Sequence, residues 1–431
     1  MKKNMGWFIK NILSLLPNHV ALRISKILTS RMDNDYIKLM DSFPDAQPLS
    51  GALDSNKAYR ILVVRLDAIG DLIWTTAFFR ELAHCCPQAE IDVVVRPNVA
   101  SIVETCPYLH KVYTYSTNSI RRARTEELSS MQSKVKAFVQ QELKGMSYDI
   151  VFAPRFLSYG SALEGELLTL AVNAQYRVAR GYSIDYFEQV RNQRLKRKYS
   201  YIIQHHVVKH EAECILDLLK VFHYTPQKSQ MEMWLLENEQ EIFSHLSTKG
   251  DKVTYVAVGL VGSARCRNWP VKKWEQLLKH IEKKYAKKKV CFLLLGGKDA
   301  QKSARPLEKL SNVINLTGKT SLRESAYIIS QSKFYVGADT GLMQMASAER
   351  TPIILMSCYL SKPQGKNIWE HSGANPIRVG PHDVPYIILQ PTYASGRCVE
   401  QCDFPDIHCI DNISVKSVED AVDDFLNRNF T

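Results

Sequence analysis

From about Lys57 onward, short apolar runs alternate with segments whose apolar residues recur at helical spacing. The runs predict strands at Arg60–Leu66, Ile91–Arg96, Val112–Tyr115, Tyr148–Ala153 and Tyr176–Ala179, with helices near Thr75–Cys85, Ser119–Lys144 and Gly160–Val172. A basic polar stretch, Val190–Ser200, interrupts the rhythm, and a helix is expected at His210–Phe222. Residues about Tyr224–Gly250 read as a crossing between domains. The rhythm then restarts, with strands expected at Thr254–Leu260, Val290–Leu295, Val313–Leu316, Phe334–Gly337 and Pro352–Met356. Helices are expected at Val271–Tyr285, Ala300–Leu310, Leu322–Ser330, Leu342–Ala348 and Val415–Asn427. Ser321 followed by Glu324 is a capping box and marks one helix start. Strand–helix alternation of this kind predicts parallel sheets covered by helices, hence an α/β protein with two doubly wound domains. Ligands of such sheets bind outside the carboxyl ends of the strands, which here means a cleft between two facing domains. The expected division is an extension at 1–56, a first domain at 57–235 and a second at 236–431.

The N-terminus, MKKNMGWFIKNILSLLPNHVALRISKIL, follows a different pattern. At about 100° per residue, Met5, Phe8, Ile9, Ile12, Leu13, Leu15 and Leu16 share one face, with Lys3, Lys10, Asn11 and Ser14 opposite. Val20, Ile24, Ile27 and Leu28 repeat the pattern after Pro17. Lys10 and Asn11 interrupt the apolar part and no small-residue cleavage site follows, so this is not read as a signal peptide. Two readings stand: helices packed on the protein's own core, or a basic amphipathic element on an anionic bilayer with Trp7 near the headgroups.

Composition narrows the class. Hydrophobic content of 45% excludes disorder over most of the 431 residues. The net charge of +12 points to an acidic partner: a phosphorylated substrate, an anionic membrane surface or nucleic acid. The basic residues show no aromatic interleaving and no nucleic-acid-binding motif, so nucleic acid ranks last. No run of ~18 apolar residues predicts a membrane-spanning helix. Ten cysteines in so long a chain do not read as a secreted disulfide scaffold.

Candidate chemistry lies at the strand ends. RLDAIGD, 65–71, leads from a strand to a helix; it places Asp71 at the cap or in the first turn, where a carboxylate is stabilised as an anion. There it serves as a cap or as a general base. The loop lacks the GxGxxG spacing of a dinucleotide site. VGADTGL, 336–342, delivers Asp339, Thr340 and Gly341 into a helix whose first amides can bind phosphate oxygens. VGSARCRNWP, 261–270, offers Arg265 and Arg267 to a diphosphate. LLLGGKDAQ, 293–301, places Asp299 as a helix cap or a ribose acceptor. TGKTS at 317–321 imitates a P-loop, but Val313 stands where the first glycine is required. Asp33-Asn34-Asp35 is an acidic pair in a polar linker, not after a strand. Cys398, Cys402 and Cys409, with His408 or Cys358, could bind zinc or iron, but their spacing fits no zinc ribbon, and packed thiols are the other reading.

Taken together, these loops resemble one family: the lipopolysaccharide heptosyltransferases, ADP-heptose-using glycosyltransferases of family 9 with the two-Rossmann GT-B fold. The matching stretches are ILVVRLDAIGDLIWTTAFFREL, VAVGLVGSARCRNWPVKKWEQL, VCFLLLGGKDA, NLTGKTSLRESAYIISQSKFYVGADTGLMQMASAERTPII and the cysteine-containing tail before ISVKSVEDAV. They cover most of residues 60–420. The resemblance implies that Asp71 is the catalytic base, with Asp67 and Gly70 in the acceptor-side loop. It places Asp339 near the donor sugar, Thr340 and Gly341 at the diphosphate, Arg267 as the diphosphate cation and Asp299 at the ribose, with Ser263 and Thr320 lining the pocket. Gln344 joins the donor-binding set where the family often has histidine. Arg267 replaces a usual lysine, and Asp67 a usual serine. The implied reaction is inverting heptose transfer from ADP-heptose to the inner core of lipopolysaccharide, with no cofactor. The acceptor is then an anionic lipid-linked saccharide, met at the cytoplasmic face of the bacterial inner membrane. A protein heptosyltransferase with a cysteine-bound metal, and a catalytically silent nucleotide-sugar-binding homologue, are the alternatives.

Overall fold

The computed structural model describes residues 38–117, 125–155, 163–182, 196–205, 207–244, 253–262, 264–361, 375–393 and 408–430. The N-terminal amphipathic segments, Asp33 to Asp35, Ser263, Cys398 and Cys402 lie outside them.

Two six-stranded sheets organise the chain. The first contains β1 (Arg60–Arg65), β2 (Glu90–Val95), β3 (Lys111–Thr114), β4 (Tyr148–Ala153), β5 (Ala174–Tyr182) and β6 (Tyr201–His205), in the order β3-β2-β1-β4-β5-β6. The second contains β7 (Thr254–Gly259), β8 (Val290–Leu295), β9 (Val313–Asn315), β10 (Tyr335–Ala338), β11 (Ile353–Met356) and β12 (Tyr386–Leu389), in the order β12-β11-β10-β7-β8-β9. Counted from its own first strand, each sheet has the Rossmann order 3-2-1-4-5-6. Strand pairing throughout the second sheet is parallel. The main helices are α1 (Ile69–Cys85), α2 (Thr125–Glu142), α3 (Leu163–Ala171), α4 (Glu211–Leu216), α5 (Val271–Lys284), α6 (Leu322–Ser330), α7 (Gly341–Ala348) and α8 (Val415–Asn427).

Packing divides the chain into two compact units, one of 1–50, 60–66 and 115–204, the other of 51–59, 67–114 and 205–431. In the first, β1 pairs with β4 and β4 with β5, and Ile61, Leu62, Val63, Ile150, Val151 and Phe152 are fully buried. Gly165 on α3 lies against Val64 and Leu66. In the second unit, α5 buries Trp274, Leu277, Leu278 and Ile281, spaced to share one helical face. The same spacing recurs on α8 at Val418, Ala421, Val422, Phe425 and Leu426. Both stripes enter one core with Val256, Phe292, Leu294, Val336 and Ile354 from the sheet.

Four expectations are corrected. Strands β6 and β12 were not expected; each lies at an edge of its sheet, β6 as YIIQH and β12 as the four-residue run YIIL. Helix α1 starts at Ile69, six residues before Thr75, because Asp71 accepts the Ala68 N–H at 3.1 Å and closes the first turn around Gly70. The helix expected at Ala300–Leu310 is one α turn, Gln301–Ala304, between 3-10 turns. Pro306 within it has no N–H to extend the ladder. The helix expected at His210–Phe222 is α-helical only to Leu216 and continues as a 3-10 turn that ends at His223, in the left-handed region at φ 54°. The capping box is present as expected, with Ser321 Oγ accepting from Glu324 N and Glu324 Oε2 accepting from Ser321 N.

Candidate active site

The candidate site residues described here belong to the second unit. In its sheet the strand order reverses between β7 and β10, the point at which a doubly wound sheet leaves a crevice beyond its carboxyl ends. The chain beyond β7 folds back on itself where Gly262 N–H donates to Asn268 Oδ1 at 2.7 Å. It leaves β10 through Asp339 and Thr340 into α7. The two segments meet at Gly262, where even a Cβ would be in ordinary contact, 3.4 Å from Asp339 O, Thr340 Cγ2 and Arg267 Cβ.

Beneath the meeting point lies Tyr335. Gly259 and Gly337 are register partners on β7 and β10, and a Cβ on either would fall within 2.6 Å of the Tyr335 hydroxyl. The two glycines therefore make the space that the phenol fills. Its hydroxyl lies 3.2 Å from Ala338 O and 3.4 Å from Thr340 Oγ1, and burial pushes its pKa up. Sequence reasoning missed Tyr335. Its signal was the pair of strand-end glycines, which becomes readable only once the register is known.

Arg267 and Asp339 form the charged centre. Arg267 Nη1 lies 3.0 Å from Asp339 Oδ2 and 3.4 Å from Asp339 O. Burial alone would lower the pKa of Arg267. The Asp339 carboxylate, helped by Cys358, Cys266 and Asp71, outweighs it and holds the guanidinium more firmly charged. Burial raises the pKa of Asp339; Arg267 opposes that shift and Asp71 adds to it. Asp71 thus lies close enough to act electrostatically on both.

The start of α1 reaches this centre by direct packing on α7. A Cβ at Gly341 would stand 2.5 Å from Ile69 Cγ2, and one at Gly70 would stand 3.1 Å from Gln344 Cγ. Two helix N-termini therefore lie side by side through glycine contacts. Asp71 is partly exposed in the first turn of α1, and Asp67 is buried just before it. Gln344 is almost fully buried, with Nε2 donating to Val379 O at 2.6 Å.

The remaining expected residues sit around this centre or away from it. Asp299 is exposed on the turn after β8. Thr320 follows β9, with Oγ1 2.8 Å from Ser325 Oγ. The loops bearing these two residues are tied by Gly318 N–H donating to Gly296 O at 2.7 Å. Arg265 is exposed. Cys409 is buried beside His408, whose Nδ1 lies 2.9 Å from Cys409 Sγ.

Two Rossmann-ordered sheets, with a cation, two carboxylates and two helix N-termini gathered near the switch point of one, define an α/β protein with a candidate anion-binding site. The family model of glycosyltransferase family 9 (heptosyltransferase) matches residues 138–360, and the chain belongs to that family. It is a glycosyltransferase. Lipopolysaccharide heptosyltransferase 1 of Escherichia coli K12 is 23% identical over 307 residues, spanning 68% of this chain and 86% of that protein. Two solved structures share the fold. The glycosyl transferase family 9 protein of Veillonella parvula is 16% identical with a TM-score of 0.65, over 88% of this chain and 99% of that one. The E. coli ADP-heptose lps heptosyltransferase II is 15% identical with a TM-score of 0.60, over 85% and 98%.

Proposed function

We propose that this chain transfers a heptose from ADP-heptose to the inner core of lipopolysaccharide, in one inverting displacement that needs no metal. The observation that carries the reading is the convergence of Asp71, Arg267 and Asp339 beside two helix N-termini. Thr340, Gly341 and the first amides of α7 would hold the diphosphate. Arg267 would neutralise it: both its contacts to Asp339 use Nη1, and a guanidinium has five donors, so it can hold the carboxylate and a phosphate oxygen together. Asp339 would face the sugar, and Asp299, Thr320 and Ser263 the nucleoside end. Asp71 would take the proton of the acceptor hydroxyl as that oxygen attacks the anomeric carbon. The bond from that carbon to the diphosphate breaks, and ADP leaves with its new charge met by Arg267 and the α7 amides. The positive charge that a metal could supply is provided here by side chain and backbone.

The acceptor assignment rests on the named function of the relatives and on the net charge of +12, which suits an anionic lipid-linked saccharide. The same charge supports work at the cytoplasmic face of the inner membrane, with peripheral contact to anionic lipid. Purified protein supplied with ADP-heptose and heptose-deficient lipopolysaccharide should release ADP and add one heptose mass to the acceptor. Transfer from UDP-sugars alone would overturn the donor assignment.

A further inference from the structure

Behind the first turn of α1, two buried side chains close on consecutive backbone carbonyls. Gln344 Nε2 donates to Val379 O at 2.6 Å while its stem fills the space beside Gly70. His210 Nδ1 accepts the Ala212 N–H at 3.2 Å, which leaves the ring proton on Nε2, 3.2 Å from Gly380 O. Trp74, on α1, meets the His210 ring edge-on at 6.2 Å, and His382 stacks on that ring at 4.2 Å. Val379 and Gly380 therefore anchor two side chains that bear on α1 at Gly70 and Trp74, on either side of Asp71.

We propose that Gln344 and His210 are positioning residues that fix the first turn of α1, and so the Asp71 carboxylate, by tethering it to the Val379–Gly380 turn. The proposal rests on Asp71 acting as the base. Its physical ground is that Gly70 has no side chain with which to hold its own turn. The Gln344 stem supplies that packing, and the bond to Val379 O stops the stem from rotating away. Gln344 then serves the reaction from behind the helix rather than as a contact to donor phosphate. Burial, with His382 adding to it, lowers the His210 pKa to about 3, so the ring stays neutral and keeps this hydrogen-bond pattern near neutral pH.

The test is a double-mutant cycle on the full chain, with Gln344→Met, His210→Phe and Asp71→Asn alone and combined. Gln344→Met keeps the stem and loses the amide; His210→Phe keeps the ring and loses both nitrogens. Each should lower kcat by about 10- to 100-fold, the scale of a small misplacement of a reacting group. Donor KM and ADP affinity should stay within about twofold. In the Asp71→Asn background the same substitutions should change kcat by less than about twofold, because the group they position is already gone. A raised donor KM at unchanged kcat would make Gln344 a donor contact and overturn the proposal. Equal losses in both backgrounds would show general damage and overturn it too. If His210→Phe does not fold, the Gln344→Met cycle decides alone. An Asp71→Asn protein as active as wild type would instead refute the function on which the proposal stands.

Discussion

Asp71 caps the start of α1, and the proposed function gives the same carboxylate a second role as base. Its Oδ2 closes the α1 start by accepting the Ala68 N–H. The cap and the base were alternative readings of the sequence, and the structure makes them compatible: the carboxylate that the helix start holds in place is the one that acts on Arg267 and Asp339. Arg267 carries its own prediction. A hydrogen bond to a charged partner contributes about 1.5–3 kcal/mol, so Arg267→Met should weaken ADP binding by about 10- to 100-fold in calorimetry. Arg267→Lys keeps the charge and loses the fork, and should fall between that variant and wild type. The positions of Arg267 and Asp339 just past strands, and of Asp71 in the first turn of the helix after β1, were legible in the sequence because each lies beyond an apolar run beside a glycine; their roles belong to the proposal. The tether of Gln344 to Val379 and that of His210 to Gly380 were not, because their partners lie 35 and 170 residues away. No local pattern encodes such pairs.

Among the elements, the contact of α1 with α7 depends on two missing side chains. Gly341→Ala would place a methyl 2.5 Å from Ile69 Cγ2, and the two helix starts would have to separate. The expected cost is about 1–3 kcal/mol in urea unfolding, the usual range for overpacking. Activity should fall further than stability does, because the displaced residues flank Asp71. The strands legible in the sequence were those with uninterrupted apolar runs, such as Val290–Leu295, expected and observed with the same bounds. Of those missed, β6 ends in the polar Gln204 and His205, whereas β12 is a wholly apolar four-residue run; edge position alone does not separate them from β3 and β9, which are edges too and were expected. Helices behaved alike: α6, with its capping box, matches its expected bounds, whereas Pro306 broke a helix that apolar periodicity alone had extended.

At the scale of the whole molecule, the two-sheet α/β organisation was legible because the strand–helix rhythm runs twice, although strand order and register were not. Stability against pH tests one consequence of the packing. Glu349, just past α7, has a buried Oε1 with no hydrogen-bond partner among the described residues, and burial raises its pKa from 4.5 to about 7. The folded state then holds a proton that the unfolded chain releases earlier, so stability is lost as pH rises between those values. Glu349→Gln should remove that loss, stabilising the protein by roughly 3 kcal/mol at pH 8 and little at pH 4. A variant no more stable at pH 8 would contradict the burial argument. The central claim, that this chain is a heptosyltransferase with Asp71 as its base, is tested most directly by the rate of ADP release from ADP-heptose in the presence of acceptor, wild type against Asp71→Asn. A loss of about 10²–10⁴ in kcat with ADP affinity unchanged is the predicted result; an undiminished rate in the variant would contradict it.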